Sequence, residues 1–464
     1  MGRSVRKCRS AAEVEDQFAR FLPKKLLQRA PEKKGSRDRI YSRRRTFWLF
    51  LWQVLSPETS CRAVVRKAQA EAEGVHRKID ESSSAYCQAR ARLPIDVCDN
   101  ALRTTAEYAD RKAIDGVPGW DRPIKVVDAS SAQVPDTDAN GKSYRYPTGQ
   151  KKGCRFPVLR FLALFSLASG VIHNITTAAC YTGELTMLKV LWPSLNPGDI
   201  LLGDRMYGCF PLLAAMPLQG VDVVARLNQC RNLDLRRAPK LGHDDWLVSF
   251  HKADIVPPYM TRKEWKKLPE TIVVRIIRSR ISVKGFRTRT IWIVTTLTDP
   301  TRYSREAIVE LYLRRWEMEL TFRDVKTTMG MEALHCLSPQ MIEKELRMFL
   351  IAYNCVRALM VEAATKHGLR PQRISFKGTV DTIRSFFPAL LRAGSKRARN
   401  RLHSRLLEIL AADELPFRPG RVEPRAVKRR PKPYPLLTAP RRLYKELPHK
   451  GNPRPHKRPQ VILT

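Results

Sequence analysis

Acidic side chains are scarce in this sequence. It has 45 Asp and Glu against 85 Lys and Arg, a formal net charge of +40 over 464 residues. A surplus of that size argues for a polyanionic partner, because each Lys or Arg that neutralises a phosphate releases condensed counterions. Nucleic acid is the default polyanion, and an anionic membrane surface is the rival. Long apolar runs are also lacking, and none approaches the roughly 18 residues a spanning helix needs. The densest, "FPVLRFLALFSLASGVI", contains Arg160 and is broken at Ser169-Gly170, so it reads as two buried strands. No membrane is therefore expected among the partners. The first residues, "MGRSVRKCRSAAEVEDQ", lack the apolar centre of a secretory signal. The ten cysteines are scattered, with no C-x-x-C pair and no Cys/His spacing typical of zinc. They read as reduced packing thiols of a cytoplasmic protein. The length suggests two to four domains with a sizeable core.

Five regions differ in pattern. Residues 1–118 look helical and basic: "RRRTFWLFLWQVLSPETSCRAVVRKAQAEAE" offers an apolar helix, a start signal at Ser56 to Thr59 and a basic helix. "SSSAYCQARARLP" adds another, with Ser84 as its cap. Helix, turn and basic helix could set Arg66, Lys67, Arg90 and Arg92 against DNA, or could be a bundle with solvated arginine faces. Residues 119–230 alternate strands with helices, which suggests a mixed α/β sheet. In it, "RPIKVVDASSAQVPD" is a short strand ending at Asp128, and "DILLGDRMYG" begins with a buried strand that ends at Asp204. "FPVLRFLALFSL" and "GVIHNITTAACY" form a hairpin. Residues 231–298 turn polar and then strand-rich, and 299–391 are helical from a start near Ser304. From 392 to 464 Pro, Lys and Arg are too dense for a core, so an extended or disordered tail is expected. It reads as a nonspecific DNA arm or a solubilising segment.

The stretch "YLRRWEMELTFRDVK" carries charges where an ordinary helix would not. Read as one helix at 100° per residue, it places Arg315, Glu319, Arg323 and Lys326 within roughly 60° of Tyr312. That stripe lies inside the apolar arc of Leu311, Met318, Phe322, Leu313, Trp316 and Leu320. Glu310, Arg314, Glu317, Thr321 and Asp324 form the opposite, water-facing side. Inward charges need pairing, hydrogen bonds or a metal. Glu319 is thus either a member of an ion network with Arg315 and Arg323 or part of a site.

Asp128 and Asp204 at strand ends, with an inward Glu319 on a later helix, could meet at one point. Three carboxylates together suit phosphodiester chemistry with two Mg²⁺, which takes hard oxygen ligands. Singly, Asp128 could cap a turn and Asp204 could form an Asx-turn.

The spacing Tyr312-x₂-Arg315-x₃-Glu319-x₆-Lys326 resembles the Tyr-Arg-Glu-Lys signature of bacterial insertion-sequence transposases of the insertion-sequence-four family. The resemblance covers about residues 118 to 330. It implies an α/β fold with a ribonuclease-H-like catalytic core, a β-rich insertion before the catalytic glutamate, a helical N-terminal DNA-binding region and a basic C-terminal tail. It further implies that Asp128, Asp204 and Glu319 hold two Mg²⁺ ions, which Mn²⁺ can replace. Tyr312, Arg315 and Lys326 would hold the phosphates of a transposon end, while Trp316 and Trp292 would accommodate an extruded base. Strand alternation, however, turns Trp292 away from the face shared by Ile291 and Ile293. Arg323 has a phosphate or ion-pair role at most, and the roles of Arg205 and Tyr207 stay open. Double-stranded DNA, as transposon ends and target, and a second copy of the chain in a homodimer are the implied partners. The alternative is a noncatalytic DNA-binding protein descended from a transposase, and a further one is a structure-dependent nuclease.

Overall fold

The computed structural model describes residues 12–28, 40–72, 79–113, 116–148, 156–228, 231, 233–281 and 289–416. Among these residues α1 (Ala12–Phe18), α2 (Arg43–Leu55), α3 (Cys61–Ala72), α4 (Ser84–Arg92) and α5 (Ile95–Lys112) come first. Then follow β1 (Ile124–Gln133), α6 (Asp138–Tyr144), β2 (Val158–Ser166), β3 (Ile172–Ala179), α7 (Glu184–Leu191), β4 (Ile200–Gly203), α8 (Phe210–Ala215) and β5 (Asp222–Arg226). The strand-rich stretch supplies β6 (Lys240–Gly242), β7 (Asp245–His251), α9 (Arg262–Lys267), β8 (Thr271–Ile281) and β9 (Arg289–Thr295). After β9 the described residues form α10 (Arg305–Arg314), α11 (Glu317–Arg323), α12 (Pro339–His367), α13 (Phe376–Arg392) and α14 (Lys396–Ala412).

The nine strands among the described residues join one sheet in the order β3-β2-β1-β4-β5-β9-β8-β7-β6. β1, β4 and β5 run parallel, while β2, β3 and β9 pair antiparallel with their neighbours. The strand-rich stretch therefore lengthens the sheet by continuing from β5 through β9. Side chains alternate between faces with the period of two that a pleated strand imposes. Ile124, Val126, Phe161, Ala163, Ile200, Leu202, Ile291 and Ile293 enter one core, beneath α5, α10, α11 and α12. Val127, Leu162, Leu164, Leu201, Val223 and Val294 enter the other, with Leu188 of α7, Leu213 of α8 and Trp265 of α9.

At the centre of the first core lies α12, the one helix among the described residues that is long and apolar enough to cross a membrane. It is instead sheathed by α2, α5, α13 and α14. Asn354 at its middle accepts from Ile172 N at 2.9 Å and donates to Ile172 O at 2.8 Å and Leu102 O at 3.2 Å. One buried amide thus satisfies backbone groups of β3 and α5, groups that would otherwise be costly to bury. The N-terminal helices share this core.

Three expectations change. β1 does not stop at Asp128, because β2 runs alongside it from Lys125↔Ser166 to Gln133↔Val158 and supplies pairing partners throughout. Arg90 is buried rather than turned to DNA: it donates to Gln53 Oε1 at 3.2 Å and Cys336 Sγ at 3.7 Å and lies over Phe50. Lys67 is likewise occupied by Glu13 and Glu71, whereas Arg66 and Arg92 are exposed. Finally, the expected tail begins with a helix, since Leu406, Leu407 and Leu410 give α14 an apolar face that packs on α12 and α13. Its remainder, 417–464, lies outside the described residues.

Candidate active site

Asp128 and Asp204 stand level with one another on neighbouring parallel strands. The β1–β4 register runs Ile124↔Ile200, Lys125↔Leu201, Val126↔Leu202. Continued by two residues, it sets Asp128 opposite Asp204, which follows the last residue of β4. Both carry the parity of Val126 and Leu202, so they belong to the face that α10 and α11 cover. β4 ends there in the Asx-turn that the sequence allowed: Asp204 Oδ1 accepts from Met206 N at 2.7 Å. Asp128 Oδ1 accepts from its neighbour Ala129 N at 3.0 Å. Burial pushes the Asp128 carboxyl up to about 6; Arg315 opposes the shift, and the like charges of Asp204 and Glu184 add to it.

The Tyr312–Lys326 stretch is not one regular helix. Ser304 caps its start, accepting from Ala307 N at 3.2 Å. At Arg315 and Trp316 the chain tightens, with Arg315 N bonding Tyr312 O at 3.2 Å and Trp316 N bonding Leu313 O at 3.3 Å. α11 then opens into a π-helical turn, Asp324–Thr328, which holds Lys326. One tight and one wide turn bend the stripe that a constant 100° step predicts. Part of the supposed water-facing side consequently turns inward: Thr321 is buried near the Tyr353 hydroxyl at 3.4 Å, and Asp324 is half-buried.

The turn at Arg315 brings it towards the aspartates. Tyr312 is buried, and burial raises its phenol, while Arg315 and Arg226 counter this and Asp204 adds to it. Tyr312, Arg315, Asp128 and Asp204 thus share one electrostatic neighbourhood, with Arg226 from the end of β5 as an unforeseen member. Trp316 and Leu320 are exposed on the same segment, at 36% and 51%. Arg323 is exposed, and its guanidinium lies 3.8 Å from Asp324. Glu319 sits on α11, and its side chain lies outside the described residues.

Trp292 takes the opposite face of the sheet, as strand alternation requires. It stacks on Trp246 at 6.0 Å between centroids, and Arg278 lies over both rings at 5.7 and 5.9 Å. With Arg226, Asn228, Arg231 and Thr290 it lines a cavity of about 480 Å³.

A further group was not legible in the sequence. Glu184, the first residue of α7, accepts from Tyr207 Oη at 3.1 Å and pairs with Arg160 of β2. Tyr207 is 1% exposed and rests on Gly203, where a Cβ would fall 2.6 Å from its ring. Beside them a groove of about 320 Å³ is lined by Ser130, Ser131, Arg160 and Glu184. Only the spacing Gly203-x₃-Tyr207-Gly208 hinted at this packing.

Among the described residues no three His, Cys, Asp or Glu side chains are already gathered as a metal site. The donors that do converge fit a hard divalent cation. Asp128 and Asp204 each accept a backbone N–H on one oxygen and carry a second oxygen, the hard donor type such a cation takes.

Residues 119–355 match the family model described as a transposase DDE domain. The protein named transposase InsG for insertion sequence element IS4, from Escherichia coli K12, is 27% identical over 366 residues, which is 77% of this chain and 79% of that protein. A putative transposase of the same organism, InsZ, is 25% identical over 206 residues, covering 44% of this chain and 68% of its own. Among solved structures, a cryo-EM piggyBac transposase synaptic complex with hairpin DNA aligns over 88% of this chain and 83% of that chain, with TM-score 0.38 and 11% identity. The chain belongs to the DDE transposases. Within them it is of the insertion-sequence-four type, the type to which the Tyr312–Lys326 spacing pointed.

Proposed function

We propose that the protein is a cut-and-paste transposase that binds the terminal inverted repeats of its own insertion sequence, hydrolyses the strand at each end and joins the freed end to target DNA. The observation that carries this reading is the level placement of Asp128 and Asp204 under the segment bearing Tyr312, Arg315, Glu319 and Lys326. In this reading β3-β2-β1-β4-β5 is a ribonuclease-H-like core. β6 to β9 belong to an insertion, residues 1–118 read the ends, and α14 with the residues after it adds nonspecific affinity.

Asp128, Asp204 and Glu319 would hold the metal, two Mg²⁺ ions or Mn²⁺ in their place. When bound, the ions supply an activated water and stabilise the leaving oxygen. Arg315 grips a phosphate through its planar fork, and Lys326 adds a point charge to the same backbone. Tyr312 keeps its buried hydroxyl protonated and so remains a donor to phosphate. Exposed Trp316 offers a face on which an unpaired base can stack, worth about 1–3 kcal/mol. Trp292 would act from the other side, through the cavity it shares with Arg226. Hydrolysis of the end phosphodiester leaves a 3′-OH, which attacks the opposite strand and forms a hairpin as the flanking DNA's 3′ oxygen departs; a second water opens the hairpin and restores the 3′-OH, which then attacks target DNA, each transfer exchanging one phosphodiester for another. Two ends must be held together, so a homodimer on DNA, at the nucleoid of a bacterial cytoplasm, is the working form.

The test is cleavage and joining by purified protein on a duplex carrying the element's own end, with Mg²⁺ or EDTA, beside Glu319→Gln. Metal-dependent nicking at the boundary followed by joining, lost in the variant while binding persists, is expected. Tight binding without metal-dependent cleavage by an intact preparation would replace this reading with the noncatalytic DNA-binding one.

A further inference from the structure

We propose that Tyr207, anchored by Glu184 and Arg160, is a positioning residue that aims the Asp204 carboxylate at the metal, an inference that rests on the reading of Asp204 as a metal-holding group.

Asp204 opens a turn in which Tyr207 N bonds Asp204 O at 3.2 Å and Met206 N bonds Asp204 Oδ1 at 2.7 Å. Before it, Gly203 is held in the sheet opposite Ala225. After it, the chain folds back so that the Tyr207 ring lies on Gly203, where a Cβ would meet ring atoms at 2.6 and 2.8 Å. Gly208 leaves the turn so close to β5 that a Cβ there would fall 2.6 Å from Arg226 O. The turn is therefore clamped at both ends, and the position of the ring sets the path of the backbone that carries Asp204. A flat ring on a glycine can still slide, since dispersion contacts have little direction.

The hydroxyl removes that freedom. Tyr207 Oη donates to Glu184 Oε2 at 3.1 Å, and Glu184 Oε1 is held by Arg160, whose Nη1 also donates to Thr182 O at 2.9 Å. The Glu184 carboxylate can only accept, so Tyr207 Oη is the donor of this pair. Rigid links run from β2 and α7 through one hydroxyl to the turn. Groups that orient a ligating carboxylate in this way typically matter 10- to 100-fold to metal affinity.

The experiment measures Mn²⁺ affinity of the full-length protein by calorimetry, and the thermal midpoint in EDTA, for wild type, Tyr207→Phe, Glu184→Ala, Glu184→Gln and Asp204→Asn. Tyr207→Phe and Glu184→Ala are expected to weaken Mn²⁺ about 10-fold or more. Glu184→Gln, which still offers an acceptor to the hydroxyl, is expected to stay within about 3-fold of wild type, a small part of that range. Glu184→Ala spares the buried ring and keeps the test open if Tyr207→Phe fails to fold. Wild-type affinity in both Tyr207→Phe and Glu184→Ala, with affinity lost in Asp204→Asn, overturns the positioning role and leaves the metal reading standing. Equal losses in Glu184→Gln and Glu184→Ala overturn it too, by making the Glu184 charge the active feature. Unchanged affinity in Asp204→Asn sinks the reading of Asp204 itself.

Discussion

Arg315 stands beside both Tyr312 of α10 and Asp128 of β1, so one guanidinium faces a buried phenol and a half-buried carboxylate together. Its removal should act twice. Arg315→Ala is expected to lower end cleavage about 10- to 100-fold, the worth of one charge-assisted bidentate contact. It should also raise the Asp128 carboxyl further in the metal-free protein, as read by carbon-detected NMR titration. Arg315→Lys should restore the titration more than the cleavage, because a point charge does not reproduce a fork. Full cleavage by either variant would remove Arg315 from the phosphate site.

Gly203 offers a purely steric test. Gly203→Ala drives a methyl to 2.6 Å from the Tyr207 ring and should cost about 1–3 kcal/mol by overpacking. Gly242→Ala meets nothing within 4 Å and should stay within about 0.5 kcal/mol of wild type. Urea denaturation of the two variants measures the difference, and equal stabilities would show that the ring does not press on the turn.

The pH dependence of stability should carry the mark of Glu345 and His335. Burial disfavours the Glu345 charge, but the His335 side chain and the backbone N–H groups of Cys336 and His335 overcome it, leaving the carboxyl below its ordinary 4.5. That stabilisation is full above 4.5 and is lost as the pH falls through the lowered value. His335 is raised above its ordinary 6.5 by the same bond, so its share is full below 6.5 and is lost as the pH rises through the raised value. The stability gap between wild type and Glu345→Gln should therefore be widest between pH 4.5 and 6.5 and narrow on either side. A gap that does not vary with pH, measured by chemical denaturation, would contradict the pairing.

Salt dependence addresses α14. Arg397, Arg401 and Arg405 recur at i, i+4 and i+8 on its exposed side, opposite Leu406 and Leu410. If they contact DNA phosphates, replacing all three by Ala should reduce the slope of log K against log salt by about 2 to 3, at roughly 0.9 per contact. The loss should be alike for specific and unrelated duplexes. An unchanged slope would mark the row as a solvated face.

What the sequence disclosed depended on how local its cause was. The strands around Asp128 and Asp204 were legible because runs such as Val126-Val127 and Ile200 to Leu202 report burial directly, and the alternation of Ile291, Trp292 and Ile293 correctly turned Trp292 to the other face. The break at Arg315 and Trp316 was not, since a constant step per residue contains no information about which carbonyl each N–H will choose. Arg90 read as surface charge because its partners, Gln53 and Cys336, come from distant parts of the chain. Glu184 went unmarked for the same reason, since its partners Tyr207 and Arg160 lie elsewhere in the chain. α14 shows the reverse failing: its composition suggested solvated chain, while its leucine spacing already specified a packed helix.

The shared core has an evolutionary corollary. Asn354 welds β3 and α5 to α12, and α2 packs on the same helix, so the N-terminal helices are structural members of the sheet's own support. If these helices read the transposon ends as proposed, a relative could not acquire a new preference by exchanging that segment as a cassette, because the recipient would be left with an open hydrophobic seam. Under that reading, divergence proceeds one exposed side chain at a time, at positions such as Arg66 and Arg92, while the buried partners stay fixed.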